Sequence, residues 1–409
     1  MTISKIKMED ALDVIIDYRG KTPKKSETGI PTLSAKSVRN SFIDYSECYY
    51  ISQEEYDRFM VRGFPKAGDI LLTTEAPLGM VAKLDRDGIG IAQRLLTIRG
   101  KDGVLDTDFL MYYLQSPYGQ QQLKERETGS TVSGIKQAEF RKIELSIPDI
   151  VTQQKIARVF TSIDDKISLN RNINLNVQDQ AMLIFKKWFL DNANESNEGT
   201  FSDIIESTLG GDWGKEEPSG NYTEQVYCIR GADIPEVKIG NKGKMPTRYI
   251  LPKNYLQKQL VAGDIVVEIS GGSPTQSTGR AAVINQSLLD RYDKGMICTN
   301  FCRAIKPLKG YSMFVYYYWQ YLYDNGVFFA YENGTTGIKN LDINSVMNNV
   351  KIQVPQKELA IRFETLCNNL FKMVFANGAE NESLEETKNL LLPRLITEDY
   401  EYLAKTMEG

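Results

Sequence analysis

The residues that could do chemistry here are defined first by one that is missing. The chain has no His among its 409 residues. That removes Ser-His-Asp, Cys-His and HExxH chemistry and leaves carboxylates, Lys, Tyr and Cys as the reactive groups. Three stretches come closest to a chemical motif. Gly129-Ser130-Thr131-Val132-Ser133-Gly134-Ile135-Lys136 has the glycines and the lysine of a phosphate loop. It departs from the Walker pattern because Ile follows Gly134 and no Ser or Thr follows the Lys. Such a loop can still meet a nucleic-acid backbone, and a plain tight turn explains it equally well. Asp233-Ile234-Pro235-Glu236-Val237-Lys238 carries an Asp and a Glu-x-Lys. In nuclease metal sites the first acid comes from a separate strand, so this spacing does not fit. Cys298 and Cys302 lie close together. Without a second pair or a His they read as two apolar residues of a strand, not as a zinc site. No catalytic residue, no metal site and no cofactor loop is expected on this chain.

Other loops have more contact potential. One set is Asp17 to Lys25 with Ser34, Lys36, Ser37 and Arg39, and Thr73-Thr74-Glu75-Ala76. The other is Gly210 to Lys215, Arg230, and Ser270 to Gln276. They combine Arg and Lys for guanine edges and phosphate, Ser, Thr and Gln for base edges and backbone, and Gly for close approach. On composition alone, Lys21 to Lys25 could equally be a solvated loop.

What positions these loops is a repeat. Ala67-Gly68-Asp69-Ile70 recurs as Ala262-Gly263-Asp264-Ile265. Tyr50-Ile51 and Tyr56 match Tyr249-Ile250 and Tyr255. Phe109, Tyr112, Tyr113 and Gln115 match Phe314, Tyr317, Tyr318 and Gln320. Gly129-Ser130-Thr131 and Gly134-Ile135-Lys136 match Gly334-Thr335-Thr336 and Gly337-Ile338-Lys339, and Ile147-Pro148 matches Val354-Pro355. These matches keep one order at an offset of about 200 residues, as two copies of one unit must. The scaffold repeats while the polar loops diverge, as two related globules reading different things would.

Each copy ends in a long amphipathic helix. From Pro148 to Gly199 no Pro or Gly interrupts the chain. Ile156, Phe160, Ile163, Ile167, Asn170, Asn174, Val177, Ala181, Ile184 and Trp188 recur at alternating four and three spacing, the stripe of a helix packed on one partner helix. Thr152 to Phe189 would span roughly 55 Å at about 1.5 Å per residue. The second ladder is Leu359, Phe363, Leu366, Leu370, Met373, Asn377, Leu384 and Leu391. Gly378 sits inside it at a cost of about 1 kcal/mol against Ala, and Pro393 weakens or ends it. The two helices are expected to pair antiparallel. Within copy one, Ile70 to Thr74 and Ala92 to Ile98 read as buried strands, and Asp106 to Glu127 as one amphipathic helix.

The bulk numbers agree with this plan. Hydrophobic content of 42% and charged content of 25% are those of a globular protein with real cores. A net charge of −4 argues against a nonspecific polyanion binder but leaves room for local basic stripes. Five Cys without regular spacing point to a reducing compartment. Met1 to Asp17 lacks an apolar h-region, so no secretory signal is expected, and no run is long and apolar enough to span a membrane. A cytoplasmic protein is expected.

Taken together, the chain resembles the specificity subunit of type I restriction–modification enzymes over nearly its whole length. The resemblance rests on the globule–helix–globule–helix order, on Tyr18-Arg19-Gly20-Lys21-Thr22-Pro23 and on Gly211-Asp212-Trp213-Gly214. It also rests on Gln153-Gln154-Lys155-Ile156-Ala157, Phe185-Lys186-Lys187-Trp188-Phe189 and Leu390-Leu391-Leu392-Pro393-Arg394-Leu395-Ile396.

The resemblance implies an α+β fold with two target-recognition globules, each mixed α/β and each followed by a long helix, the helices forming an antiparallel coiled coil. The expected domains are 1–150, a first recognition domain; 151–190, the first helix; 191–355, a second recognition domain; 356–395, the second helix; and 396–409, a tail. It implies a noncatalytic subunit that binds a bipartite double-stranded DNA target, one half-site per globule, and docks two methyltransferase subunits and the restriction–translocase subunits. S-adenosylmethionine, ATP and Mg²⁺ would sit on those partners. Arg19, Lys21, Lys24, Lys36, Ser37, Thr73 and Thr74 are the expected contacts to the first half-site. Trp213, Lys215, Arg230, Ser273, Thr275 and Gln276 are those to the second. The competing classes are a self-contained restriction or methylation enzyme and a coiled-coil adaptor that binds only protein.

Overall fold

A computed structural model describes residues 3–18, 20, 22–128, 133–191, 196–273, 276–334 and 338–396. The chain divides into two compact units. One holds Met1–Lys166 and Leu384–Gly409, and the other holds Ile167–Ser383. Each unit therefore takes a share of both long helices.

In the first unit Ile3–Lys7 pairs antiparallel with Glu144–Pro148, closing the globule where the long helix starts. Its main sheet has four antiparallel strands in the order Leu12–Asp17, Leu95–Gly100, Ile70–Thr73, Val81–Lys83. A three-stranded sheet orders Tyr49–Ile51, Ile30–Leu33 and Gly90–Ile91, the last pair parallel. The strand Ile70–Thr73 is buried on both faces, which explains its unbroken apolar run. Ile70 and Leu72 enter one core with Phe109, Tyr112 and Phe160, while Leu71 enters another with Tyr18 and Leu95.

The second unit repeats this plan. Ser196–Thr200 pairs with Lys351–Pro355. The four-stranded sheet orders Ile205–Gly210, Cys302–Pro307, Ile265–Glu268 and Ala281–Val283, and the three-stranded sheet orders Thr247–Ile250, Glu224–Ile229 and Met296–Cys298. The shared tetrapeptide has the same task in both. Buried Asp69 accepts from the Lys66 N–H at 2.9 Å and holds Arg99 at 2.6 Å. Asp264 accepts from the Val261 N–H at 2.9 Å and holds Lys306 at 2.7 Å. In each unit one carboxylate closes the turn into a central strand and neutralises a cation on the neighbouring strand.

The helix expected over Asp106 to Glu127 is two helices, Thr107–Gln115 and Pro117–Glu125. Pro117 cannot donate to the helix before it, and Ser116 caps the second by accepting from the Gly119 N–H at 3.0 Å. The corresponding helix of the second unit, Ser312–Asp324, has no Pro and is unbroken.

The first long helix runs from Ile150 to Phe185 and ends in a wider π turn, Lys186–Leu190. Its stripe is as expected as far as Ala181: Ile156, Phe160, Ile163, Ile167, Asn170, Asn174, Val177 and Ala181 are all buried, whereas Ile184 and Trp188 are only partly so and Phe185 and Phe189 take the buried places where the helix widens. The second, Lys357–Leu395, is continuous through Gly378 and through Pro393. Its buried stripe differs from the expected ladder by one position over much of its length. Phe363 is buried, but Leu359, Leu366 and Leu370 are only partly so and Met373 is 42% exposed. Ala360, Cys367, Phe371 and Val374 take the innermost places. Small residues there let helix and globule approach closely, and the larger leucines sit at the edges of the stripe.

In the second unit the helices pair antiparallel. The Phe185 ring lies tilted against Phe363 with centroids 6.0 Å apart, the Asn377 amide donates to Asn174 Oδ1 at 2.8 Å, and the Asn170 amide donates to Asn381 Oδ1 at 2.9 Å. In the first unit Ile156 and Phe160 share a core with Leu392 and Ile396, and Lys388 binds both oxygens of Asp164 at 2.8 Å.

Candidate nucleic-acid interface

The same backbone frame carries the variable loops of both units. In the first, the Thr74 N–H donates to Arg94 O at 2.9 Å, and Thr74 O accepts from the Ile135 N–H at 3.0 Å. In the second, the Ile269 N–H donates to Phe301 O at 2.9 Å, and Ile269 O accepts from the Leu341 N–H at 2.8 Å. Three loops thus converge in each unit: the one after the central strand, the one before the strand beside it, and the one that leads into a short helix, Gln137–Arg141 or Ile343–Asn349.

This frame corrects the sequence match of Ile135 to Ile338. Ile135 is fully buried and its structural counterpart is Leu341, 5% exposed, whereas Ile338 is 60% exposed. The loop of the second unit is longer on the helix side, so a match of letters slid off the match of hydrogen bonds. Gly129 to Val132 and Thr335 to Gly337, the hearts of the two glycine loops, lie outside the described residues.

The expected contacts of the first unit divide into two groups. Lys24 and Lys36 are exposed. Lys24 is anchored through its backbone N–H, which donates to Glu55 Oε1 at 2.8 Å. That bond and Arg58 hold the Glu55 carboxyl below its ordinary range. Tyr18 fixes the start of this loop from below, its hydroxyl donating to Gly63 O at 3.0 Å. Ser37, Thr73 and Thr74 face inward, contrary to expectation. Ser37 closes a capping box with Ser34 and donates to Glu47 O at 3.2 Å. The Thr73 hydroxyl donates to Pro77 O at 2.6 Å and accepts from the Met80 N–H at 2.8 Å, so it shapes the loop instead of projecting from it. Arg19 and Lys21 lie outside the described residues.

In the second unit Trp213 is 38% exposed. The buried Arg248 guanidinium lies 4.1 Å from its ring centroid and donates through Nε to Trp213 O at 2.9 Å. The loop carrying Trp213 is pressed onto the sheet: a Cβ at Gly211 would stand 1.9 Å from Thr299 O. Lys215 is exposed and its amine sits 4.8 Å from the Tyr222 ring. Arg230 is turned to structural use, pairing with Asp233 at 2.9 Å and donating to Lys244 O at 2.7 Å. Asp233 therefore closes a turn ahead of the helix Ile234–Lys238 and is not poised as a metal ligand. Ser273 and Gln276 share the loop frame; the Gln276 N–H donates to Ser273 Oγ at 3.0 Å, and its amide reaches Tyr323 Oη at 3.5 Å. Thr275 lies outside the described residues. Cys298 and Cys302 are buried strand residues, and burial pushes the Cys302 thiol up to about 12, away from the thiolate a metal requires.

Residues 7–179 match the type I restriction modification DNA specificity domain. The chain is 26% identical over 401 residues to the type I restriction enzyme MjaIX specificity subunit of Methanocaldococcus jannaschii, covering 90% of this chain and 86% of that one. It is 22% identical over 398 residues to the HindI specificity subunit of Haemophilus influenzae, covering 81% and 86%. Over most of its length the chain is thus similar to specificity subunits of type I restriction–modification enzymes, and its residues 7–179 carry the match to their specificity domain. Its fold is that of the type I restriction–modification S subunit from M. genitalium, with a TM-score of 0.55 at 15% identity over 97% of this chain and 96% of that one.

Both relatives are named specificity subunits. Two exposed residues at these loops, Arg94 and Phe301, stand out in no motif of the sequence. The available signal was positional. Each directly precedes one of the repeat-related strands, Leu95–Gly100 and Cys302–Pro307.

Proposed function

We propose that this chain is a specificity subunit that binds a bipartite double-stranded DNA target, with one half-site read by each repeated loop frame. The observation that carries this is the pair of backbone bonds around Thr74 and Ile269 that the two units share, which holds different side chains in each. One scaffold with two chemistries is what a split, asymmetric target asks for. Exposed Lys24, Lys36 and Lys215 set the register on phosphates, and side chains on the frames meet base edges. Trp213, Ser273 and Gln276 serve the second half-site, and Arg19, Lys21 and Thr275 are contacts on the sequence reading alone. Ser37, Thr73, Thr74 and Arg230 support the loops from within.

The helix pair is the dock for two methyltransferase subunits, which the restriction–translocase subunits then join. S-adenosylmethionine, ATP and Mg²⁺ belong to those partners. The assembly works in the cytoplasm; among the described residues no helix is long and apolar enough to cross a membrane. The test is a binding selection from random duplexes with the subunit reconstituted on its methyltransferase partner. Two short conserved blocks separated by a fixed unspecified gap are expected. Binding without sequence preference, or no binding to DNA, would overturn the proposal.

A further inference from the structure

The loop frame that is common to the two units also identifies one position where a cation in the first stands opposite an aromatic in the second. Arg94 and Phe301 occupy it: each offers its backbone oxygen to the residue after the central strand, Thr74 or Ile269, and each stands immediately before the neighbouring strand. Arg94 takes a left-handed backbone, φ 74°, and its Nε is held by Glu75 Oε1 at 2.6 Å while its side chain stays 47% exposed. Phe301 is 61% exposed. A large aromatic this far out on a loop tip loses apolar burial that folding would otherwise recover, at roughly 25 cal/mol per Å². It lies beside Ser270, whose N–H also donates to Phe301 O at 3.2 Å, and Ser270 pairs across to Asn340. The backbone of Phe301 is therefore bonded directly to the edge that carries polar Ser270 and Asn340.

Resting on the bipartite-DNA proposal above, we infer that residues 94 and 301 are the repeat-related specificity position: Phe301 packs on a thymine 5-methyl in the second half-site, and Arg94 donates to the O6 and N7 edge of a guanine in the first. The chemistry follows from the major groove. Thymine is the one base with a methyl there, and an aromatic edge is a surface it can be buried against. Guanine presents two acceptors that match a guanidinium, and a carboxylate on the protein side fixes the guanidinium's orientation.

The experiment uses the subunit assembled with its methyltransferase partner and its selected target duplex. Each thymine of the second half-site is replaced in turn by uracil, which lacks only the methyl. Each guanine of the first is replaced by 7-deazaguanine, which lacks the N7 acceptor. For the wild-type assembly one uracil is expected to weaken binding about fourfold, the value of one buried methyl at ~0.8 kcal/mol. One deazaguanine is expected to weaken it about tenfold. Phe301→Ala should erase the uracil effect and leave the deazaguanine effect intact; Arg94→Ala should do the reverse. Phe301→Leu should keep part of the uracil effect, which a variant acting through folding would not do selectively. If the wild type prefers a bipartite target but both variants keep the full pattern, or its second half-site has no thymine, this inference is overturned and the DNA-binding proposal stands. If the wild type shows no sequence preference, both fall.

Discussion

Gly240 and Gly378 meet backbone to backbone in the second unit. A Cβ on Gly378 would stand 1.9 Å from Gly240 O, and one on Gly240, at φ 86°, would stand 2.2 Å from Val374 O. The Asn174 amide completes the junction, donating to Ile239 O at 2.9 Å and to Val374 O at 3.0 Å. A glycine that looks like a weak point in a helix is the place where a loop of the globule lies against it.

Gly378→Ala should therefore destabilise the protein even though it raises helix propensity by about 1 kcal/mol. The methyl meets backbone, which cannot swing aside, so a net loss of about 1–3 kcal/mol is expected, as for an overpacked core. Chemical denaturation of the full chain measures it. A variant more stable than the wild type would show that the loop and the helix do not touch.

Lys388 is the cation of a network that also holds Asp164, Ser41 and the Tyr112 ring, 4.9 Å away. Burial lowers its pKa, and Asp164 works against that shift. Lys388→Met should cost about 3–5 kcal/mol because it leaves the Asp164 charge uncompensated, with only the Tyr112 hydroxyl, among the described residues, still donating to it. Lys388→Met with Asp164→Asn should cost clearly less. A double-variant loss equal to the sum of the Lys388→Met and Asp164→Asn losses, measured by thermal unfolding, would show that the pair is not coupled.

Lys24→Ala and Lys36→Ala should each weaken binding to all sequences alike and reduce the slope of log affinity against log salt by about one. Salt titrations on the specific target and on a scrambled duplex check this. A loss confined to one base position would make the altered lysine a base contact instead.

Lengthening both long helices together where the two units divide, four residues after Lys166 and four after Ser383, adds about one turn, ~6 Å. The two insertions must be paired because the helices bond each other on either side, Asp164 to Lys388 and Asn170 to Asn381. The recognised gap should grow by one or two base pairs at ~3.4 Å each. Motif selection with the lengthened subunit reads this directly, and an unchanged gap would count against the helices acting as a ruler.

The sequence was most legible where one physical demand dominated. The first helix buries one stripe against one partner, so period alone located Ile156 through Val177. The repeat located Asp69 and Asp264, because a turn-closing carboxylate paired to a cation tolerates little change. Legibility failed where two demands met. The second helix packs tightly at Ala360, Cys367 and Val374, and hydrophobic weight pointed one residue aside, at Leu359, Leu366 and Met373. Hydroxyls were misjudged because Ser37 and Thr73, turned inward to hold loops, have the same letters as hydroxyls that project. Arg94 and Phe301 were invisible as a pair because their equivalence lies in backbone bonds, not in residue type.

In the proposed assembly this chain alone decides a split DNA target. The most direct measurement exchanges this gene in a host that supplies the methyltransferase partner and maps methylated adenines across the genome. One new bipartite motif, two short blocks with a fixed gap, should appear with the gene and vanish without it. Methylation that does not change with the gene, or that follows one uninterrupted motif, would contradict the account.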